Sequence, residues 1–207
     1  MSRRLSPAIT LTASAAIVGL ALSACGSTSL STPGATTKPT VAQTADAKLV
    51  AALPAKIKAA GKIVVGVDTS YPPSEFLNAD GKTAEGFDID LFKAVAQKFG
   101  VTVDFQTAGF STIILGITSG KFDMGVSSFT ANKEREKVVN MVSYYNAGTL
   151  WVVPKGNPKK VNPENACGLN VGVQKGTVQV DDLTARSKTC TAAGKKPINQ
   201  ITEDLQV

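Results

Sequence analysis

Histidine is absent from this 207-residue chain. That single absence removes the commonest general base, the Ser–His and Cys–His nucleophile pairs and a usual zinc ligand. Cysteine is scarce, with three residues. Aromatic residues make up only 6%, and none is interleaved with the two short basic runs, Lys159-Lys160 and Lys195-Lys196. The formal charge of +6 is therefore scattered, and nothing forms the one-sided basic stripe that a nucleic-acid surface needs. The 18 glycines never take GxGxxG or P-loop spacing, so no phosphate cradle is encoded and no cofactor is implied. The longest apolar stretch, Ala8 to Leu22, is too short and too interrupted by Thr and Ser for a comfortable transmembrane helix. What is present is ordinary globular composition, 43% hydrophobic and 18% charged, with length for one domain or two small ones.

The first residues read as an export signal. Ser2-Arg3-Arg4 is a positive n-region, Ala8 to Leu22 is the apolar core, and residues 1–24 form the signal peptide. Leu22-Ser23-Ala24-Cys25-Gly26 resembles the lipobox of bacterial lipoproteins, in which the cysteine is acylated and becomes the mature N-terminus. The residues after the Arg pair do not support twin-arginine export. Residues 25–47 are rich in Ser, Thr, Ala and Pro without a hydrophobic period. Such a segment cannot bury enough surface to offset its ordering entropy, and reads as a flexible tether from Cys25. The expected location is the outer face of the cytoplasmic membrane. Cys167 and Cys190 then remain as an even pair in an oxidising compartment, which suggests one disulfide. Closing that loop stabilises a domain by roughly 3 kcal/mol on the chain-entropy view. A metal pair is the alternative, but two thiols make an incomplete zinc site.

From Leu49 onward strand-like and helix-like segments alternate. Residues 62–67 are a β-branched run, and Tyr71-Pro72-Pro73 must be a loop. Residues 87–99 place Ile89, Phe92, Val95, Ala96 and Phe99 at helical spacing before Gly100. A strand is predicted over 101–105, a short helix over 111–118, a buried strand over 122–126 and a charged helix over 132–138. Beyond Tyr145-Asn146-Ala147-Gly148 the pattern restarts. A strand is predicted over 149–153, then a Lys/Pro/Gly/Asn loop, a strand over 170–173 and a helix over 177–188. Strand–helix alternation argues for an α/β fold with a parallel or mixed sheet. A first lobe is placed over 48–147 and a second over 148–207, with a hinge near 146–150. The second unit holds few elements before Val207 and is read as incomplete, a small appended subdomain being the alternative.

No catalytic constellation assembles. Asp88 and Asp90 are spaced i,i+2 at a helix start, and their expected role is to cap that helix and complement its dipole. Arg135 stands in Lys133-Glu134-Arg135-Glu136-Lys137 and on sequence alone reads as a solvated helix-face residue.

Five blocks in order carry a resemblance. They are Asp68-x-x-Tyr71-Pro72-Pro73-x-Glu75-Phe76, Gly86-Phe87-Asp88-Ile89-Asp90-Leu91 with Ala94-Val95-Ala96, Gly120-Lys121-Phe122-Asp123, Glu134-Arg135, and Val171-Gly172-Val173-Gln174-x-Gly176-Thr177. Together they resemble the family 3 bacterial extracellular solute-binding proteins, over roughly residues 60 to 190. The resemblance implies a two-lobed periplasmic-binding-protein fold of type II. It implies a monomer that binds a polar amino acid without catalysis and delivers it to ABC permease subunits in the membrane. Arg135 takes the place of the guanidinium that clamps the ligand's α-carboxylate, for which a planar donor fork is suited. Gly176, Thr177 and Val178 match the loop that offers backbone N–H groups to the same anion at a helix start. Ser127, Ser128 and Thr130 lie where hydroxyl and backbone groups meet the ligand, or else simply end a strand. Tyr71 matches the stacking aromatic. Phe110 is either an opposing wall or a core residue under a loop, and Gln174 is a pocket neighbour. The sequence departs from the commoner pattern at Ser74 and Leu115. The carboxylate that neutralises the ligand's ammonium has no matching block before Val207, so the 207-residue chain is expected to bind amino acids poorly or not at all. Rival readings are an enzyme on the same fold, such as a cyclohexadienyl dehydratase, and the ligand-sensing module of a signalling system.

Overall fold

The computed structural model describes residues 42–205. The signal peptide, Cys25 and most of the expected tether lie outside them. The tether's expected end at 47 is corrected by two contacts. The Gln43 N–H donates to Gln97 Oε1 at 2.8 Å, and the Asp46 N–H donates to Lys98 O at 2.9 Å. Asp46 also caps helix α1 (Ala47–Ala52) by accepting from the N–H groups of Lys48 and Leu49, so this stretch already has partners for its backbone.

Helix α2 (Ala55–Ala60) ends at Gly61 in the left-handed region and feeds strand β1 (Lys62–Val67). Three apolar side chains of β1, Ile63, Val65 and Val67, are buried, because the strand is central. It pairs in parallel with β5 (Thr102–Thr107) on one side and β6 (Met124–Gly125) on the other. Between β1 and β5 the chain makes a small antiparallel sheet, β2 (Ser70–Tyr71), β3 (Glu75–Leu77) and β4 (Ala84–Glu85). It then makes helix α3 (Phe87–Lys98). Parallel neighbours need such crossovers, and the helices cover the sheet. Ile57, Ile63, Val65, Phe92, Ala96, Val101 and Val126 form the core of this unit. Helix α4 (Phe110–Thr118) follows β5 and buries Phe110 and Ile113.

Gly86 shows why its block begins with glycine. Its φ is +129°, and a Cβ there would lie 2.0 Å from Ser74 O. That close approach lets Phe87 and Asp88 donate their N–H groups to Pro73 O and Ser74 O, which sets the start of α3 directly against β3.

The short helix α5 (Lys133–Glu136) is capped by Asn132. The strand predicted over 149–153 is not formed. Residues 149–153 take no regular structure, with Leu150 89% and Val152 92% exposed. Strand propensity alone does not hold a strand without a neighbour to pair with, and no described strand lies against this stretch. In the second unit β7 (Asn170–Gln174) pairs in parallel with β8 (Asn199–Glu203), with α6 (Val178–Ala192) as the crossover. Its core gathers Ala166, Val173, Leu183, Cys190 and Ile198. The expected disulfide is formed between Cys167 and Cys190, with Cα atoms 5.5 Å apart.

Candidate functional site

A cavity of about 90 Å³ opens where the ends of these elements meet, lined by Tyr71, Phe110, Ser128, Thr130, Arg135, Thr177, Val178 and Gln179. Seven of the ten expected ligand-contacting residues therefore share one hollow, although they span more than a hundred positions in sequence.

Arg135 is its hub. The N–H of Arg135 donates to Asn132 Oδ1 at 2.9 Å, which fixes the helix turn that carries the side chain. Its Nη1 donates to Thr130 O at 2.8 Å and its Nη2 to Gly176 O at 2.9 Å, so one guanidinium touches both units. The guanidinium carbon also sits 5.5 Å from the Phe110 ring centre and 5.3 Å from that of Phe129, within cation–π range. Burial lowers the affinity of Arg135 for its proton, opposed by the charges of Asp181 and Tyr71. An arginine stays protonated under such a shift. The solvated reading of Arg135 from its charged neighbours does not describe it.

Aromatic rings form the wall. Phe110 stacks on Phe129 with centroids 4.3 Å apart and meets Tyr71 at 6.1 Å. Phe110 is only 5% exposed and also lines the cavity. The Tyr71 hydroxyl is pushed well above its ordinary range by burial, then by the charges of Asp68 and Glu75, with Arg135 opposing.

The second unit contributes the start of α6. Thr177 stands at the N-cap, but its side chain makes no capping bond. The hydroxyl donates backward to Gln174 O at 2.8 Å instead. The positive end of the helix, whose first turn no side chain caps, thus faces the same hollow as Arg135. Gly176, at φ +75°, allows that approach. A Cβ there would lie 2.9 Å from both Cα and Cβ of Ser111 in α4. Ser128 also holds positive φ, +50°, a conformation uncommon outside glycine and concentrated at functional sites.

Two expected residues lie behind the cavity rather than in it. Ser127 is buried; its hydroxyl donates to Glu75 Oε1 and accepts from the Asp68 N–H. Gln174 is buried under the hollow, where its Nε2 donates to Asp68 Oδ2 at 2.8 Å and to Asp204 O at 2.9 Å. Asp88 is corrected from a helix cap to a buried acceptor. The N-cap of α3 is Gly86 with no side-chain bond, and Asp88 Oδ2 accepts instead from Tyr144 Oη at 2.6 Å and from Ser128 Oγ at 3.5 Å. Sequence reasoning passed over Asp68, Glu75 and Tyr144 as members of this polar floor. Glu75 in particular, fully buried in a two-partner sheet, carries no periodicity that announces burial.

A larger hollow of about 420 Å³ is bounded by Thr149, Leu150, Trp151, Pro163, Glu164, Asp182 and Arg186. Arg186 there already donates to Asp182 Oδ2 and Pro163 O, so the hollow offers no comparable cluster of donors. Among the described residues no group of three or more His, Cys, Asp or Glu is placed to hold a metal ion.

Comparison with known proteins gives the same outline. The family model of bacterial extracellular solute-binding proteins, family 3, matches residues 63–206. An arginine-binding protein of Corynebacterium glutamicum is 36% identical over 152 residues, which is 73% of this chain and 50% of that protein. An ancestral arginine-binding protein bound to arginine superposes with a TM-score of 0.62 at 36% identity, covering 70% of this chain and 61% of the other. An ancestral amino acid-binding protein described as a precursor of cyclohexadienyl dehydratase superposes at 0.59 and 32% identity, covering 72% and 64%. The chain spans about half the length of the curated relatives it matches.

Proposed function

The chain belongs to the bacterial extracellular solute-binding proteins of family 3, and we propose from that premise that it captures a basic amino acid, arginine first among them, for an ABC importer. Binding of solutes outside the cytoplasm is the family's general property. The ligand, the importer, a lipid anchor at Cys25, a hinge near residues 146–150 and the monomeric state are our reading.

One observation carries the proposal: a single guanidinium lies between the two units, against Thr130 O and Gly176 O, beside an uncapped helix start. Two independent positive groups converging on one small hollow suit a carboxylate, the former through paired charge-assisted bonds and the latter through backbone N–H donors. The basic side chain is favoured by the acids beneath the hollow, Asp68 and Asp88, both buried, and by the rings of Tyr71 and Phe110, which suit a cation above their faces. Two of the relatives compared above are described as arginine-binding. Apart from Val178 the lining side chains are hydrogen-bond donors and aromatic rings, with no carboxylate among them. That favours capture over the proton transfers of a dehydratase.

Saturation-transfer NMR with a panel of amino acids at millimolar concentration tests this, because it detects weak complexes. Arginine is expected to give the strongest effect, then lysine, then glutamine, with glutamate weakest, and Arg135→Ala removes the arginine signal. A preference for glutamate, or an arginine signal that persists in R135A, overturns the reading.

A further inference from the structure

The polar floor beneath the cleft holds two carboxyl groups with an unusual set of partners. Glu75 has no exposed surface and Asp88 is 1% exposed. They are brought together by the backbone: Asp88 donates its N–H to Ser74 O at 3.0 Å, immediately before Glu75. Glu75 Oε1 accepts from Ser127 Oγ at 3.2 Å. Asp88 Oδ2 accepts from Tyr144 Oη and Ser128 Oγ. The two remaining oxygens, Glu75 Oε2 and Asp88 Oδ1, are buried without a donor.

Ionised carboxylates are acceptors only. Two of them side by side in a buried site would leave both of these oxygens unmatched and two like charges in contact, and such pairs do not both ionise. One proton resolves both problems. Carried by Glu75 and donated to the Asp88 carboxylate, its hydrogen-bond partner, it turns one acceptor-only group into a donor to the other.

We infer that Glu75 and Asp88 share one proton at neutral pH, and that the resulting singly charged pair braces the binding cleft by holding the Ser128 hydroxyl and the Tyr144 phenol on one carboxylate oxygen. Ser128 lines the cavity, and Tyr144 belongs to the segment that leads out of the first unit, so the brace joins the cleft wall to that exit. Tyr71 lies opposite Glu75 in the β2–β3 pair and feels its charge, and Asp68 shares the Ser127 hydroxyl with Glu75 through its own N–H; Arg135 acts on Tyr71. Burial holds the Glu75 carboxyl up to about 9, and the hydrogen bond and charge of Asp88 push the same way. The Tyr144 phenol is raised well out of its ordinary range by burial and by Asp88.

Glu75 keeps its proton in the folded protein while the unfolded chain loses it near the ordinary carboxyl range. The folded state therefore binds the extra proton between roughly pH 4.5 and 9, and stability falls as pH rises through that window. This inference stands apart from the ligand assignment and survives its failure.

Two measurements on the 207-residue chain test it. Carbon-detected NMR of the labelled carboxyl groups is expected to show one protonated glutamate at pH 7 that ionises near pH 9, with the amides of Ser128 and Tyr144 moving at the same midpoint. Two ionised carboxylates at pH 7, or Ser128 and Tyr144 amides that stay still, overturns the inference. In the second, Glu75→Gln supplies an amide donor in place of the proton. The folding equilibrium constant of the parent relative to E75Q is expected to fall about tenfold per pH unit between pH 5 and 8, the value for one proton. A ratio that does not change with pH overturns the shared proton. The NMR titration needs no variant, so it decides the matter even if E75Q fails to fold.

Discussion

The two units solve the same problem with different means. The first surrounds a central parallel strand with helices and closes a continuous apolar core from Ile57 to Val126. The second has a two-stranded sheet and one crossover helix around a smaller core, in which Cys190 is itself a core residue and its disulfide partner Cys167 packs against it. Where burial is limited, a covalent link takes over part of the work of holding the unit together, because it restricts the unfolded chain. The cleft sits between a unit held by packing and one held in part by a staple.

This contrast can be broken from either side. The largest effect belongs to the first unit. Phe92→Ala empties a buried ring from the α3–β5 contact and is expected to cost about 3–5 kcal/mol. Denaturant unfolding followed by far-UV circular dichroism would measure it, and hydrogen exchange would show β1 and β5 losing protection first. Next comes replacing the pair with Cys167→Ser and Cys190→Ser, expected to cost about 3 kcal/mol. Exchange should then rise in β7, β8 and α6 while β1 stays protected; equal loss in both units would mean that they do not differ as described. A smaller effect tests the seam between the units. Gly176→Ala places a Cβ 2.9 Å from Ser111 at positive φ, and is expected to cost about 1–2 kcal/mol. It should also weaken arginine binding more than it weakens the fold. The smallest effect is Lys137→Ala, which removes an exposed pair with Glu134 and should change stability by less than about 0.5 kcal/mol.

The comparison also explains which parts could be read from sequence. Strand β1 was legible to the residue, because its β-branched run is central and buries Ile63, Val65 and Val67 on one face. Helix α3 was legible because Ile89, Phe92 and Ala96 repeat at helical spacing and all three are buried. Helices α1 and α2 were not, since their Ala- and Lys-rich sequences bury only Ile57 and continue the composition of the tether. The sheet of β2, β3 and β4 escaped because two- and three-residue strands carry no period. Residues 149–153 misled in the opposite direction: strand-forming side chains with nothing described to pair against. At the site, residues matched through ordered blocks came together around Arg135. The polar floor did not emerge, because whether Glu75 or Asp88 points inward depends on Gly86 letting α3 approach Ser74, a tertiary contact without a local signature.

The central claim is that Arg135 and the start of α6 act on one anion. Its most direct test is an NMR titration of the isotope-labelled chain with arginine, following the Arg135 side-chain Nε–H signal together with the amides of Gly176, Thr177 and Val178. The account predicts that all four move with one dissociation constant, and that agmatine, which lacks the carboxylate, moves none of them. Separate constants for the two groups, or an equal response to agmatine, would contradict it.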